Sequence, residues 1–345
     1  MSNTGLKLSV GYPCRTSLSF FDSVAPYLNQ IGEVYFGWPG FASGRSAAAM
    51  SGDQSHLQED LPRFAQAGVR LNLLINGNCY GADGVSAALA QQVKQTVSDL
   101  LQRHPLHTVT TASPFIAATI KECFPEMDVR ASVNMWVDGI SGMEQCADLF
   151  DSFYVKRDYN YCLEQLRSQR QWCDKHGKRL YLLANSGCIP NCAYHTFHDN
   201  LVSHSAQLPS QDVQDASKFY ACRRTLEKKE NRYLLLSGNL VRPEDIDRYG
   251  NWVDGIKLAT RIHPFPAIVI GAYARRRFFG DLSVLTEPGF GDILRPYILD
   301  SAAIPNNYWE QKTHCQRAAH NGSTAYCKDC GYCEKLYKSI LSLGI

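Results

Sequence analysis

The sequence from Arg179 to His204 runs RLYLLANSGCIPNCAYHTFHDNLVSH. Its first six residues, Arg179–Ala184, are a continuous apolar run after the leading arginine, the pattern of a strand covered on both faces. The run ends in a loop containing Gly187 and Pro190 that places Cys188 and Cys192 four residues apart, with His195, His198 and His204 close behind. A buried strand that hands over to a loop of metal-binding and proton-carrying residues is the working unit of a parallel α/β fold.

The same unit recurs along the chain. Strand candidates are Lys7–Val10, Glu33–Phe36, Arg70–Ile75, Thr108–Thr111, Val129–Asn134, Phe153–Lys156, Arg179–Ala184, Tyr233–Leu236 and Gly255–Ala259. Amphipathic helices are expected between them at 19–30, 55–67, 84–103, 114–123, 141–150 and 159–176. The clearest is 84–103, with Leu89, Val93, Val97, Leu100 and Leu101 at helical spacing. Ser113-Pro114 reads as an N-cap followed by a first-turn proline. Repeated βα units predict a TIM-like (β/α)8 barrel, with an open doubly wound sheet as the alternative. Nine candidates are one too many for eight staves, so one of the last three is expected outside the barrel. Residues 185–230 read as a Cys/His-rich insertion after strand 7. The expected division is a barrel domain at 1–280 and a Cys-rich C-terminal extension at 281–345.

The chain has 345 residues, 45% of them hydrophobic, enough for one large core. A net charge of +2 gives no nucleic-acid footprint of its own. The N-terminal MSNTGLKLSVGYP has no apolar signal-peptide core, and the longest apolar run, Ala267–Ala274, is too short to span a bilayer. A cytoplasmic protein without a membrane span is expected. Thirteen cysteines, an odd number with no secretion signal, weigh against a disulfide framework and towards metal binding. The sequence contains no G-x-G-x-x-G, P-loop, H-E-x-x-H or G-x-S-x-G motif.

Cys188-x3-Cys192 on a turn suits a shared metal or cluster; the plainer reading is two buried thiols. With His195 the order approaches the three-cysteine signature of radical-SAM enzymes, but histidine stands where the third cysteine belongs and the loop follows a late strand. The tail carries Cys327-x2-Cys330-x2-Cys333 with Cys315 upstream, a ferredoxin-like run that also suits a zinc knuckle or an unligated tail. Cys222 is placed to complete the first pair. Cys14, Cys79, Cys123, Cys146, Cys162 and Cys173 read as small buried hydrophobes, Cys79 in NGNCYG being the least settled. The three histidines suit ligands, proton donors or ordinary loop residues. Arg157 and Asp158 after the sixth strand, and Arg261 after the last, are placed to meet an anionic substrate or to form surface ion pairs.

The segments 184–204 and 234–261 (LLLSGNLVRPEDIDRYGNWVDGIKLATR), with the Cys-rich tail, resemble the collagenase-like peptidase family, unassigned peptidase family 32, and most closely its short bacterial and archaeal members. The resemblance rests on Asn185 to Cys192, the Arg242-Pro243-Glu244-Asp245 turn, and Cys327 to Cys333. The sequence departs at Ser186, where an acidic residue is common, at Ala193-Tyr194-His195 in place of Pro-aromatic-Arg, and at Thr260-Arg261 in place of Gly-Arg. The resemblance implies a TIM-like barrel, a cysteine-held [4Fe–4S] cluster, and, for several members, oxygen-independent hydroxylation of ubiquinone precursors or RNA bases.

Three functions follow as expectations. The first is an iron–sulfur enzyme acting on a small-molecule or RNA-borne substrate, with one cluster on Cys188, Cys192 and Cys222 and a fourth ligand from the tail or elsewhere. Cys315, Cys327, Cys330 and Cys333 hold a second cluster or lend a ligand, zinc is the alternative metal, and Arg157, Arg261 and His195 serve the reaction. The second is a peptidase with a Cys188–His195 pair. The third is a non-catalytic metal-stabilised scaffold that acts with a protein partner or a second copy.

Overall fold

The structure, a computed structural model, describes residues 5–16, 18–45, 55–205, 208, 220–315 and 324–344. Eight parallel strands close into one barrel: β1 Lys7–Gly11, β2 Ile31–Gly37, β3 Arg70–Ile75, β4 Leu106–Thr111, β5 Asp128–Ala131, β6 Ser152–Tyr154, β7 Arg179–Leu183 and β8 Gly255–Leu258. Each pairs with the next in sequence, and β1 closes against β8 from Lys7↔Gly255 to Val10↔Leu258. The expected (β/α)8 barrel is therefore the fold.

Helices cover the outside. Among them are α1 Phe20–Val24, α2 Leu57–Gln66, α3 Ala87–Arg103, α4 Pro114–Cys123, α5 Gly139–Glu144 and α6 Leu163–Lys175. Leu89, Val93, Val97 and Leu100 of α3 all face the core, as their spacing requires. Ser113 caps α4 by accepting the Ile116 N–H, with Pro114 in the first turn. The expected helix at 141–150 is only one and a half turns, Gly139–Glu144. The strand expected at 129–134 ends at Ala131 and passes into a 3-10 turn.

The surplus strand is Tyr233–Leu236. Leu234–Ser237 is a single helical turn packed in a second apolar cluster with Leu226, Leu285 and Tyr308. A four-residue apolar run does not distinguish a strand from a buried helical turn, and burial decided it here. That second cluster joins the end of the insertion to the C-terminal tail, where α7 Tyr308–Thr313, α8 Thr324–Cys330 and α9 Tyr332–Ile340 follow. Among the described residues no helix is long and apolar enough to cross a membrane.

The barrel interior is polar, which the apolar strand runs concealed. Arg130 on β5 is wholly buried. It donates to Glu33 on β2 (2.8 Å), Ser152 on β6 (3.0 Å) and Asp128 (3.4 Å), and its guanidinium lies 3.7 Å from the Tyr181 ring centroid. Burial would raise the Glu33 pKa, but Arg130, Ser9 and Asn72 together outweigh it and hold the carboxyl below its ordinary range.

Candidate functional site

The C-terminal ends of the strands form the barrel mouth. Asn185, just past β7, is fully buried and clamps its neighbours: its Oδ1 accepts the Ala259 N–H (2.6 Å), and its Nδ2 donates to the carbonyls of Ala259 (2.9 Å) and Leu285 (3.0 Å). Ser186 bridges to Glu287, and the Gly187 N–H donates to the Glu287 carbonyl (3.2 Å). A Cβ on Gly187 would sit 2.0 Å from the Pro288 carbonyl oxygen, so glycine is required by close approach. This anchoring aims Cys188 into the mouth.

Arg157, in the turn after β6, donates from Nη1 to Cys188 Sγ (3.3 Å). Its guanidinium lies 4.4 Å from the Trp136 ring centroid, and the His195 ring lies on Trp136 at 4.0 Å. Trp136 also donates from its indole nitrogen to Asp199 (3.2 Å). Its backbone is left-handed, φ 53° and ψ 39°, a costly conformation for a bulky residue and of the kind that persists at working sites. Arg157 Nε is buried without a hydrogen-bond partner among the described residues.

Cys192 and Cys222 share this neighbourhood. Burial pushes the Cys192 thiol up, and the proximity of Cys188 adds to the shift. Burial likewise pushes Cys222 up to about 11, with Cys188 and Cys192 contributing next. Three half-buried thiols thus sense one another at the mouth. The helix His195–His204 lies over it: Asp199 meets Trp136 after β5, and Ser203 Oγ meets the Asn78 N–H (2.9 Å) after β3 and the Ser43 carbonyl (3.2 Å) after β2.

The other expected residues separate. His195 does not pair with Cys188; its Nδ1 donates to the Cys192 carbonyl (3.0 Å). His198 stacks on Tyr220 at 4.4 Å, and burial lowers its pKa. His204 meets Cys79. Asp158 receives the Asn191 N–H at 3.4 Å. Arg261 is buried, donates to Ser43 Oγ (3.0 Å), and lines a separate cavity of about 940 Å³ with Cys14, Arg15, His263 and Phe265. That cavity contains neither Arg157 nor the cysteine loop. Cys14 and Cys173 are buried as expected of small hydrophobes.

In the tail, Cys315, Cys327, Cys330 and Cys333 line one cavity of about 120 Å³ with Lys312 and Tyr332. The Tyr332 hydroxyl is buried with no partner among the described residues. Lys312 is buried and donates to the carbonyls of Leu236 (2.7 Å) and Gly238 (3.4 Å). Asn239, the next residue, donates to the Cys188 carbonyl (3.3 Å). Residues 236–239 therefore separate the two cysteine groups. Among the described residues, no three His, Cys, Asp or Glu side chains already stand in metal-coordinating geometry. The donor chemistry at both places still suits a thiolate-held group, and each place has a buried polar atom awaiting a partner.

An uncharacterized protease of Methanocaldococcus jannaschii is 24% identical over 323 residues, spanning 90% of this chain and 89% of that protein. The name of that relative agrees with the resemblance to the collagenase-like peptidase family carried by the sequence motifs. The solved structure of the U32 peptidase Mk0906 shares the fold, with a TM-score of 0.53 and 13% identity over 74% of this chain and 93% of that one. No family model matches the sequence. The Arg-Pro-Glu-Asp turn is structural here: Arg242 grips Asp245 at 2.7 and 2.9 Å and lies 4.6 Å from the Tyr308 ring centroid, tying barrel to tail. The sequence reading missed Trp136, whose signal is conformational and has no motif.

Proposed function

We propose that this protein belongs to the U32 peptidase-like family and is an iron–sulfur enzyme that carries out redox modification, oxygen-independent hydroxylation in kind, of a small or RNA-borne substrate. The observation that supports it most is the convergence of Cys188, Cys192 and Cys222 beside the Arg157–Trp136–His195 stack. Cys188, Cys192 and Cys222, with a fourth ligand from the tail or elsewhere, would hold a [4Fe–4S] cluster, which would supply electron storage. Arg157 offsets thiolate charge and presents a cation to an anionic substrate. Trp136 gives a flat wall for an unsaturated ring, and His195, with Nδ1 committed to a carbonyl and Nε2 3.1 Å from the Thr196 hydroxyl, would exchange that hydroxyl for a substrate proton. The tail cysteines would hold a second cluster or a zinc ion, with Lys312 balancing the charge.

The peptidase reading draws on the names of the M. jannaschii relative and of Mk0906. The Cys188–His195 pair it called for is not formed, because His195 is turned onto Cys192 and Trp136. Anaerobic purification followed by iron, sulfide and zinc analysis and a visible spectrum tests the proposal. Iron and acid-labile sulfide in equal amounts are expected; zinc without iron would overturn it.

A further inference from the structure

Away from the cysteine loop, a different Cys–His pair has formed. Cys79 Sγ lies 3.4 Å from His204 Nδ1, with Cys79 half-buried and His204 exposed. Cys79 follows β3 at the barrel mouth, where catalytic side chains of this fold sit. His204 comes from the last turn of the roofing helix, 125 residues away in sequence. The two backbones are fastened next to the pair: the Asn78 N–H donates to Ser203 Oγ (2.9 Å), and Ser203 Oγ in turn meets the Ser43 carbonyl. The Gly81 N–H donates to Cys79 Sγ (3.4 Å), supplying a donor to the sulfur. A thiol within reach of an imidazole, on two segments fastened to each other at the adjacent residues, is an arrangement from which a cysteine nucleophile is activated.

We propose that Cys79 and His204 form a nucleophile–base pair for acyl transfer, with an ester or peptide carbonyl as the substrate class. The Cys79 sulfur attacks the carbonyl carbon while its proton passes to His204 Nδ1. The bond to the leaving oxygen or nitrogen breaks, and His204 returns the proton to the departing alcohol or amine. Water then cleaves the thioester, releasing the carboxylic acid and restoring the thiol. The pair does not depend on the cluster, and it gives the hydrolase reading a site that the sequence did not suggest.

The probe is p-nitrophenyl acetate, applied to the intact chain, with released nitrophenol followed by absorbance and the acetyl group located by peptide mass spectrometry. Cys123 is half-buried like Cys79 and belongs to neither cysteine group, so it serves as the internal comparison. The expected result is acetyl on Cys79 well ahead of Cys123, and a loss of about a hundredfold in its rate in His204→Ala, the scale of general-base assistance. His204 is exposed, so the variant is expected to fold, and circular dichroism checks this. Acetylation of Cys123 as fast as Cys79, or an unchanged Cys79 rate in His204→Ala, overturns the proposal. Iron content plays no part in either result, so failure here leaves the cluster proposal standing, and the reverse holds too.

Discussion

Two arginines inside the same barrel are treated in opposite ways. Arg130, deep in the barrel, spends its donors on Glu33, Ser152 and Asp128 and has no exposure. Arg157, at the mouth, donates to one thiol, lies on the strained Trp136, and keeps a buried nitrogen without a partner among the described residues. A satisfied buried network fixes structure, whereas an incompletely satisfied one beside strained backbone is the mark of a place prepared for something else. The difference separates the structural charge of this barrel from the charge proposed to work at its mouth.

Arg130→Met strikes at that contrast hardest. It leaves Glu33 buried without its cation and is expected to cost about 3–5 kcal/mol in urea unfolding. Adding Glu33→Gln should recover part of the loss; a single variant as stable as the parent would erase the contrast. Gly187→Ala comes next, since its Cβ meets the Pro288 carbonyl and the backbone must shift, at a cost of about 1–3 kcal/mol in thermal unfolding.

Lys257 gives the pH test. It is buried on β8 between the rings of Tyr35 and Tyr154. Burial first, then Arg261 and Arg130, push its pKa well below the ordinary lysine range, against the pull of Glu33. Between that lowered value and about 10.4 the unfolded chain binds one more proton than the folded one, so stability rises with pH. The slope approaches about 1.4 kcal/mol per pH unit. Lys257→Met should flatten it in denaturation curves taken across that window; an unchanged slope would place the proton uptake elsewhere. Arg157→Ala has the smallest effect on folding, under about 1 kcal/mol. Anaerobically prepared protein carrying it should nevertheless retain less iron than the parent, which would sharpen the division between the two arginines.

The barrel was legible because most of its strands are short apolar runs separated by capped helices. Arg70–Ile75 and Pro114–Cys123 match their expected bounds residue for residue. The misread Tyr233–Leu236 lacks a period long enough to tell strand from helix. At the mouth, the cysteine loop and Arg157 were legible from their place after strands. Trp136 was not, because nothing in its neighbours announces a left-handed backbone. The Cys79–His204 contact was not legible either, since it spans 125 residues. Arg261 was expected beside Arg157, but strand-end position alone does not say which side of the mouth a long side chain serves.

The loop after β7 is the proposed seat of an iron–sulfur cluster. The most direct measurement compares iron and acid-labile sulfide in anaerobically prepared parent protein, Cys188→Ala/Cys192→Ala and Cys330→Ala/Cys333→Ala. The account predicts about four irons and four sulfides lost with the first pair, whatever the tail variant does. Full iron content in Cys188→Ala/Cys192→Ala would contradict it.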